Sequence, residues 1–328
     1  MLTAIGTWVR LSFRVQRLEL LLLGAGVAAL TFFMLWSAQE LSAISAAYPE
    51  CDLFSGMTGC ELPSQRFQEW TGLGYQVMNN MWFVPLLIGL VLGVPMVARE
   101  VEHGTAQLAW TLGRSRTRWL LGRVAFTALI VVVLMGFLAV ASEMLAAALV
   151  PDSDLGRTFF LHDQRGFLLV ARGLVALAIG VLVGAVIGRQ LQALLLAIIV
   201  AGLVYAGGTY ALDRWNEAEG IEPPAVGPGL DGPLFVGSGI ELTTGERVNW
   251  EELQRRGFNE VAFMGDGPIY ASVQDFETGG EPIGREYMLV IPGERYPEIM
   301  ARTSAATGGL ALLVFFGAAA VVHQRRPV

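Results

Sequence analysis

The sequence predicts an all-α polytopic membrane protein of six transmembrane helices, with a small extracytoplasmic α+β domain between spans five and six. Three observations predict it. Hydrophobic residues fill 54% of the 328 positions and charged ones only 16%, with a mean hydropathy of +0.53. A soluble chain of this size needs more polar surface to cover its core. Apolar runs long enough to cross a ~30 Å hydrocarbon layer, about 20 helical residues each, recur six times. Nearly all the acids fall between those runs.

The candidate spans are 18–38, 78–98, 121–148, 167–188, 191–211 and 304–322. The third exceeds what one crossing needs, so it tilts or continues beyond the membrane. The second carries Pro85 and Pro95, where a kink or local break is expected. Arg189 and Gln190 alone separate spans four and five, which reads as a tight helical hairpin. No cleavable leader fits the N-terminus, because the first apolar run is too long for a signal h-region.

Arginine content orients the spans. Arg10, Arg14 and Arg17 precede span one; Arg99, Arg114, Arg116, Arg118 and Arg123 cluster after span two; Arg325 and Arg326 follow span six. These segments are expected to face the cytoplasm, with both termini inside. Of the acids, only Glu19, Glu100 and Glu102 fall near that side.

Two larger pieces then face outward. The first, loop 39–77, holds Cys51 and Cys60, the only cysteines in the chain. An oxidising compartment lets them pair, closing a loop of about ten residues for roughly 2.5 kcal/mol in the chain-entropy account. The second, 213–302, is rich in Gly, Pro and acids. Leu234–Val236, Gly239–Leu242 and Tyr287–Ile291 read as short strands, and Trp250–Arg256 as a short helix capped by Asn249.

Two ionisable residues lie well inside apolar runs, Glu143 in span three and Arg172 in span four. Charges in lipid are costly and pair or face a cavity; these two sit at similar depth and are expected to pair, as a clasp or a substrate contact. Tyr205 and Tyr210, near the outer end of span five, line an exit path on one reading and form an aromatic belt on the other.

Some chemistry is excluded. All 22 basic residues are arginine, and a P-loop needs lysine to reach the nucleotide phosphates. His103, His162 and His323 show no zinc-ligand spacing, no nucleophile elbow occurs, and catalysis by this chain is not expected. A net charge of −7 argues against nucleic acid as a partner.

The most informative stretch is 94–119, VPMVAREVEHGTAQLAWTLGRSRTRW, leading from span two into span three. Gly104 is placed to end one helix and Thr105 to cap the next. A short helix lying there passes a push from a soluble partner into two spans; an ordinary interfacial loop, with its arginines as topology anchors, is the alternative.

This stretch resembles the permease subunits of bacterial type-2 ABC exporters, in an actinobacterial-type branch. The likeness rests on Gly93, Pro95, Ala98, Arg99, Glu100, Glu102, Gly104, Thr105, Leu108, Ala109, Trp110, Thr111, Arg116, Arg118 and Trp119, and later on Pro292, Arg295 and Tyr296 before the last span. It implies that 99–118 is a coupling segment, with Arg99, Glu100, Glu102, His103, Gly104, Thr105, Leu108 and Trp110 contacting a separate ATPase subunit. It also implies that residues 1–17 form an amphipathic interfacial helix, and that 303–328 are the sixth span and a cytoplasmic tail. Two permease subunits, identical or not, would join two ATPase subunits in the bacterial plasma membrane. ATP and magnesium would sit on the ATPase, with no cofactor on this chain. The implied function is outward transport of a hydrophobic or amphipathic drug, lipid or peptide. The alternative is mechanotransmission to the outer domain or its partner without moving substrate.

Overall fold

A computed structural model of the chain describes residues 17–51, 60–104, 116–151, 153–223, 232–258, 261 and 268–324. Six helical segments among them are long and apolar enough to cross a membrane, and they lie over the six predicted runs. The N-terminal segment 1–16 and the tail 325–328 fall outside the described residues. Two compact units divide the chain. The first comprises Met1–Leu155, Phe160–Ala206 and Pro297–Val328; the second comprises Gly156–Phe159 and Gly207–Tyr296.

In the first unit, α1 (Arg17–Ala47) runs for 31 residues, about 46 Å at 1.5 Å per residue. It therefore extends well past a 30 Å apolar layer. A helix expected to lie in a loop follows: α2 (Glu61–Asn79). Its polar average hides it from a hydropathy scan, yet Phe67, Gly74 and Met78 are all buried at spacings of seven and four, one helical face. Trp36 of α1 meets Trp70 of α2 at 5.6 Å between ring centroids. The Cys51–Cys60 disulfide, with Cα atoms 5.8 Å apart, links the residues after α1 to the residue that precedes α2.

After a turn at 80–83, α3 (Val84–Glu102) begins with Pro85 in its first turn, where the missing N–H costs nothing, and continues through Pro95. The third span is one helix, α4 (Arg116–Leu149). Beyond it lie a short 3₁₀ turn (His162–Gln164), α5 (Phe167–Ile187), α6 (Gln190–Glu219) and, near the C-terminus, α9 (Tyr296–Gln324).

Glycine decides which helices are central. A Cβ on Gly89 of α3 would lie 2.5 Å from the Ala176 Cβ and 2.6 Å from the Gly173 oxygen of α5; one on Gly93 would lie 2.6 Å from the Leu177 oxygen. On the facing helix, Gly180 and Gly184 also approach the Val94 backbone, with built Cβ distances of 3.0 and 2.9 Å. Small residues let the two backbones touch. The apolar stretches of α3 and α5 are accordingly 67% and 78% buried, against 11–17% for α1, α6 and α9. On one flank, α1 and α4 share a core including Met34, Leu41, Met135 and Leu138. On the other, Ala193, Ala197 and Ala201 of α6 pack with Leu90, Val94 and Ala98 of α3, four-residue spacing that keeps each set on one face.

The second unit is built on a four-stranded antiparallel sheet in the order β2-β1-β4-β3, from β1 (Leu234–Leu242), β2 (Arg247–Val248), β3 (Pro268–Ile269) and β4 (Gly284–Ile291). Two of the expected short strands are one: a register shift between Phe235 and Gly237 absorbs the glycine that reads as a break. The helices α7 (Trp250–Arg255) and α8 (Val273–Thr278) are capped by Asn249 and Ser272, whose side chains accept from the backbone N–H of Glu252 and Asp275. Ile240, Val248, Leu253 and Ile269 form the core.

Candidate functional site

Polar groups gather at both ends of the first unit. At the end predicted to face the cytoplasm, α3 continues through Arg99 and Glu100 to Glu102. The resemblance counts these residues in a coupling segment; in the structure they are the last turn of α3, which ends before Gly104. No helix breaker stands between Pro95 and His103. His103 is the C-cap, its N–H bonded to the Arg99 oxygen, with Nδ1 2.8 Å from that oxygen. Gly104 leaves the helix at φ +70°, a conformation that favours glycine.

Three other helices are tied to this turn. Arg99 Nη1 lies 3.4 Å from Glu19 Oε1 of α1. Arg123 Nη2 of α4 donates to Glu100 Oε1 at 2.9 Å, while its guanidinium stacks on Trp119, 5.0 Å from the centroid. Glu102 Oε2 accepts the Gln190 backbone N–H at 2.9 Å, placing a carboxylate at the α6 N-terminus, where the helix dipole favours it. The sequence marks Glu19 and Arg123 only for topology, and Gln190 only as part of the tight hairpin between spans four and five. Thr105, Leu108 and Trp110 lie outside the described residues.

At the opposite end the expected Glu143–Arg172 pair does not form. Arg165 Nη1 donates to Glu143 Oε2 at 2.8 Å, and Arg172 Nη2 donates to Asp163 Oδ1 at 2.7 Å. The connection between α4 and α5 folds back and supplies a different partner to each. Arg165 is almost fully enclosed, with 1% of its side chain exposed, and also donates to the Phe160 and Leu155 oxygens, each at 3.0 Å. Gly166 makes room at φ +67°; a Cβ there would lie 2.8 Å from Glu143 Oε1.

Arg172 donates a second bond to the Asp163 backbone oxygen and lies over the ring of Tyr205, 5.0 Å from the centroid. Tyr205 in turn stands 6.1 Å from Trp82. Of the two tyrosines proposed for an exit path, Tyr205 thus packs within the first unit. Tyr210 belongs to the second, where its hydroxyl accepts from Arg214 Nε at 3.2 Å.

Ion pairs also bind the sheet of the second unit: Arg285 to Glu241 at 2.8 Å, Arg247 to Glu222 at 2.6 Å and Arg256 to Glu246 at 2.6 Å. Hydrogen bonds from Arg285 and Arg256 hold the Glu241 and Glu246 carboxyls below the usual range. Among the described residues, no three His, Cys, Asp or Glu side chains are grouped to hold a metal.

A sequence model of the family described as ABC-2 membrane transporter related matches residues 24–212, more than half of the chain, covering α1 through most of α6. No curated protein and no solved structure matches the chain.

Proposed function

We propose that this chain, which belongs to the ABC-2 membrane transporter related family, is the permease subunit of an ATP-driven exporter that moves a hydrophobic or amphipathic compound outward. The observation that carries the reading is the last turn of α3, where Arg99, Glu100 and Glu102 bond to α1, α4 and α6. A push delivered to that turn reaches four spans at once. The push comes from a separate ATPase subunit docked on the 99–118 segment, with Thr105, Leu108 and Trp110 in the contact. The absence of lysine supports a separate motor, since a P-loop could not be built from this chain. ATP and magnesium belong to that subunit.

In this reading the coupling end faces the cytoplasm, both termini lie inside, and the second unit stands outside the plasma membrane of a bacterium. Two permease subunits and two ATPase subunits make the working assembly. Apolar side chains exposed on α1 and α6, such as Leu22, Phe32, Leu195 and Leu203, meet lipid or the second permease. Mechanotransmission is the competing reading, favoured by the second unit's own core.

Affinity purification of the full chain in mild detergent tests the assignment. It should bring down a nucleotide-hydrolysing subunit that crosslinks to cysteine placed at Thr105. A preparation without ATPase activity, or labelling of a Trp110→Cys variant from outside intact cells, overturns it. Nucleotide-dependent uptake into inverted vesicles separates export from mechanotransmission, which moves no solute.

A further inference from the structure

Two arginines seven residues apart are bound very differently. Arg165 is enclosed and donates to Glu143 and two backbone oxygens from separate parts of the loop. It is a staple. Arg172, five residues into α5, directs both of its hydrogen bonds to one residue, Asp163, although a guanidinium carries five donors. Its face rests on Tyr205.

The exposures differ too. The Arg172 side chain is 9% exposed, that of Asp163 45%. The cation is enclosed and its counter-ion is wet. Removing the counter-ion alone strands a buried charge, which is costly. Exchanging it for another anion is not: Asp163 regains water, and the newcomer takes over the charge-assisted bond. One ring beyond Tyr205 stands Trp82, 6.1 Å from it between centroids, and Phe83 follows at 5.9 Å; the two are 45% and 40% exposed. A run of aromatic rings thus leads away from the cation through Tyr205.

We propose that Arg172, Tyr205 and Trp82 form a binding site for the anionic headgroup of an amphiphile, a phosphate or carboxylate that displaces the Asp163 carboxylate. The apolar portion of the ligand lies along Trp82 and Phe83. A cationic amphiphile fits less well, because the Tyr205 face and the Asp163 carboxylate already hold a guanidinium fixed to α5. As a statement about substrate, the site rests on the exporter reading and narrows its substrate class to anionic amphiphiles; the binding chemistry stands apart from it.

The test is saturable binding to the full chain, with any subunits that co-purify, in nucleotide-free nanodiscs of neutral lipid. The probes are dodecyl phosphate, dodecyltrimethylammonium and inorganic phosphate. Dodecyl phosphate should bind, and Arg172→Gln should weaken it about tenfold or more, the scale of a charge-assisted bond. Asp163→Asn keeps a neutral acceptor for Arg172 but removes the competing charge, so binding should tighten several-fold. A merely structural pair would not produce that gain, and this variant decides the matter if Arg172→Gln fails to fold. Inorganic phosphate binding as tightly as dodecyl phosphate would support the anion site and assign it to free anions. Preference for dodecyltrimethylammonium, no saturable binding, or unchanged or weaker binding by Asp163→Asn would overturn the proposal. An ATPase partner without ligand binding removes this site alone; ligand binding without an ATPase partner removes the exporter reading alone.

Discussion

Replacing Gly89 with alanine puts a methyl group into a contact between two helix backbones. The added Cβ would lie 2.5 Å from the Ala176 Cβ, 2.6 Å from the Gly173 oxygen and 2.6 Å from the Leu177 nitrogen. Carbon contacts are comfortable at about 3.5–4.0 Å, so α3 and α5 must separate by about 1 Å. Two of the three obstacles are main-chain atoms, and no rotamer change relieves them. Overpacking costs about 1–3 kcal/mol. The upper end applies, because Gly93, Gly180 and Gly184 lie in the same seam and lose contact together. At about 2–4 °C per kcal/mol for a medium-sized domain, the apparent melting temperature falls by on the order of 6–12 °C. Gly24→Ala on α1 is the control: nothing lies within 4 Å of its Cβ, and alanine gains up to about 1 kcal/mol of helix propensity. Thermal unfolding of both purified variants in detergent, followed by near-ultraviolet circular dichroism, measures the difference. If the two melt together, the α3–α5 seam does not carry the packing assigned to it.

Arg165→Met leaves Glu143 and two backbone oxygens without their shared donor. Breaking a buried pair costs about 3–5 kcal/mol, with Glu143 at the low end because it is partly exposed; the yield of monodisperse protein on gel filtration should fall sharply, and a normal yield counts against the staple. Glu102→Ala frees the first N–H of α6 and, on the permease reading, lowers coupled ATPase activity while leaving ATPase co-purification intact; loss of co-purification would instead make Glu102 a docking residue. The Glu241 and Glu246 carboxyls are depressed, so their contribution is complete above the ordinary carboxylate pKa of about 4.3 and is lost as pH falls through the lower folded-state values. The protection factors of β1 and β4 amides, taken relative to the slower intrinsic exchange in acid, should therefore fall below that point, and Arg285→Gln should flatten the change; an unaltered profile removes Glu241 as a cause. Cys51→Ser should cost roughly 2.5 kcal/mol by the loop-closure account, seen as faster exchange at the C-terminal end of α1, with Cys60→Ser equivalent.

Some features were legible from the sequence because they are sums over neighbours. A span needs only about twenty apolar residues in a row, and six such runs became six helical segments. Asn249 ahead of Trp250 announced its own cap, a contact made three residues away, and the two cysteines had only each other. The helix α2 was hidden because its signal is periodicity at low average hydropathy, and β1 was divided in two because a bulge keeps a strand continuous across Gly237.

Tertiary structure alone decided the charge partners and the central helices. The sequence suggests a similar depth for Glu143 and Arg172, but pairing depends on how each helix is rotated and on the path of the intervening loop. The fold-back that Gly166 permits brought in Arg165 and Asp163, residues with no marking in a linear pattern. Gly89, Gly93, Gly180 and Gly184 are no different in sequence from Gly24 or Gly202, which face open space. A missing side chain becomes a contact only where another backbone arrives to use it, and that arrival belongs to the assembled bundle rather than to any one helix.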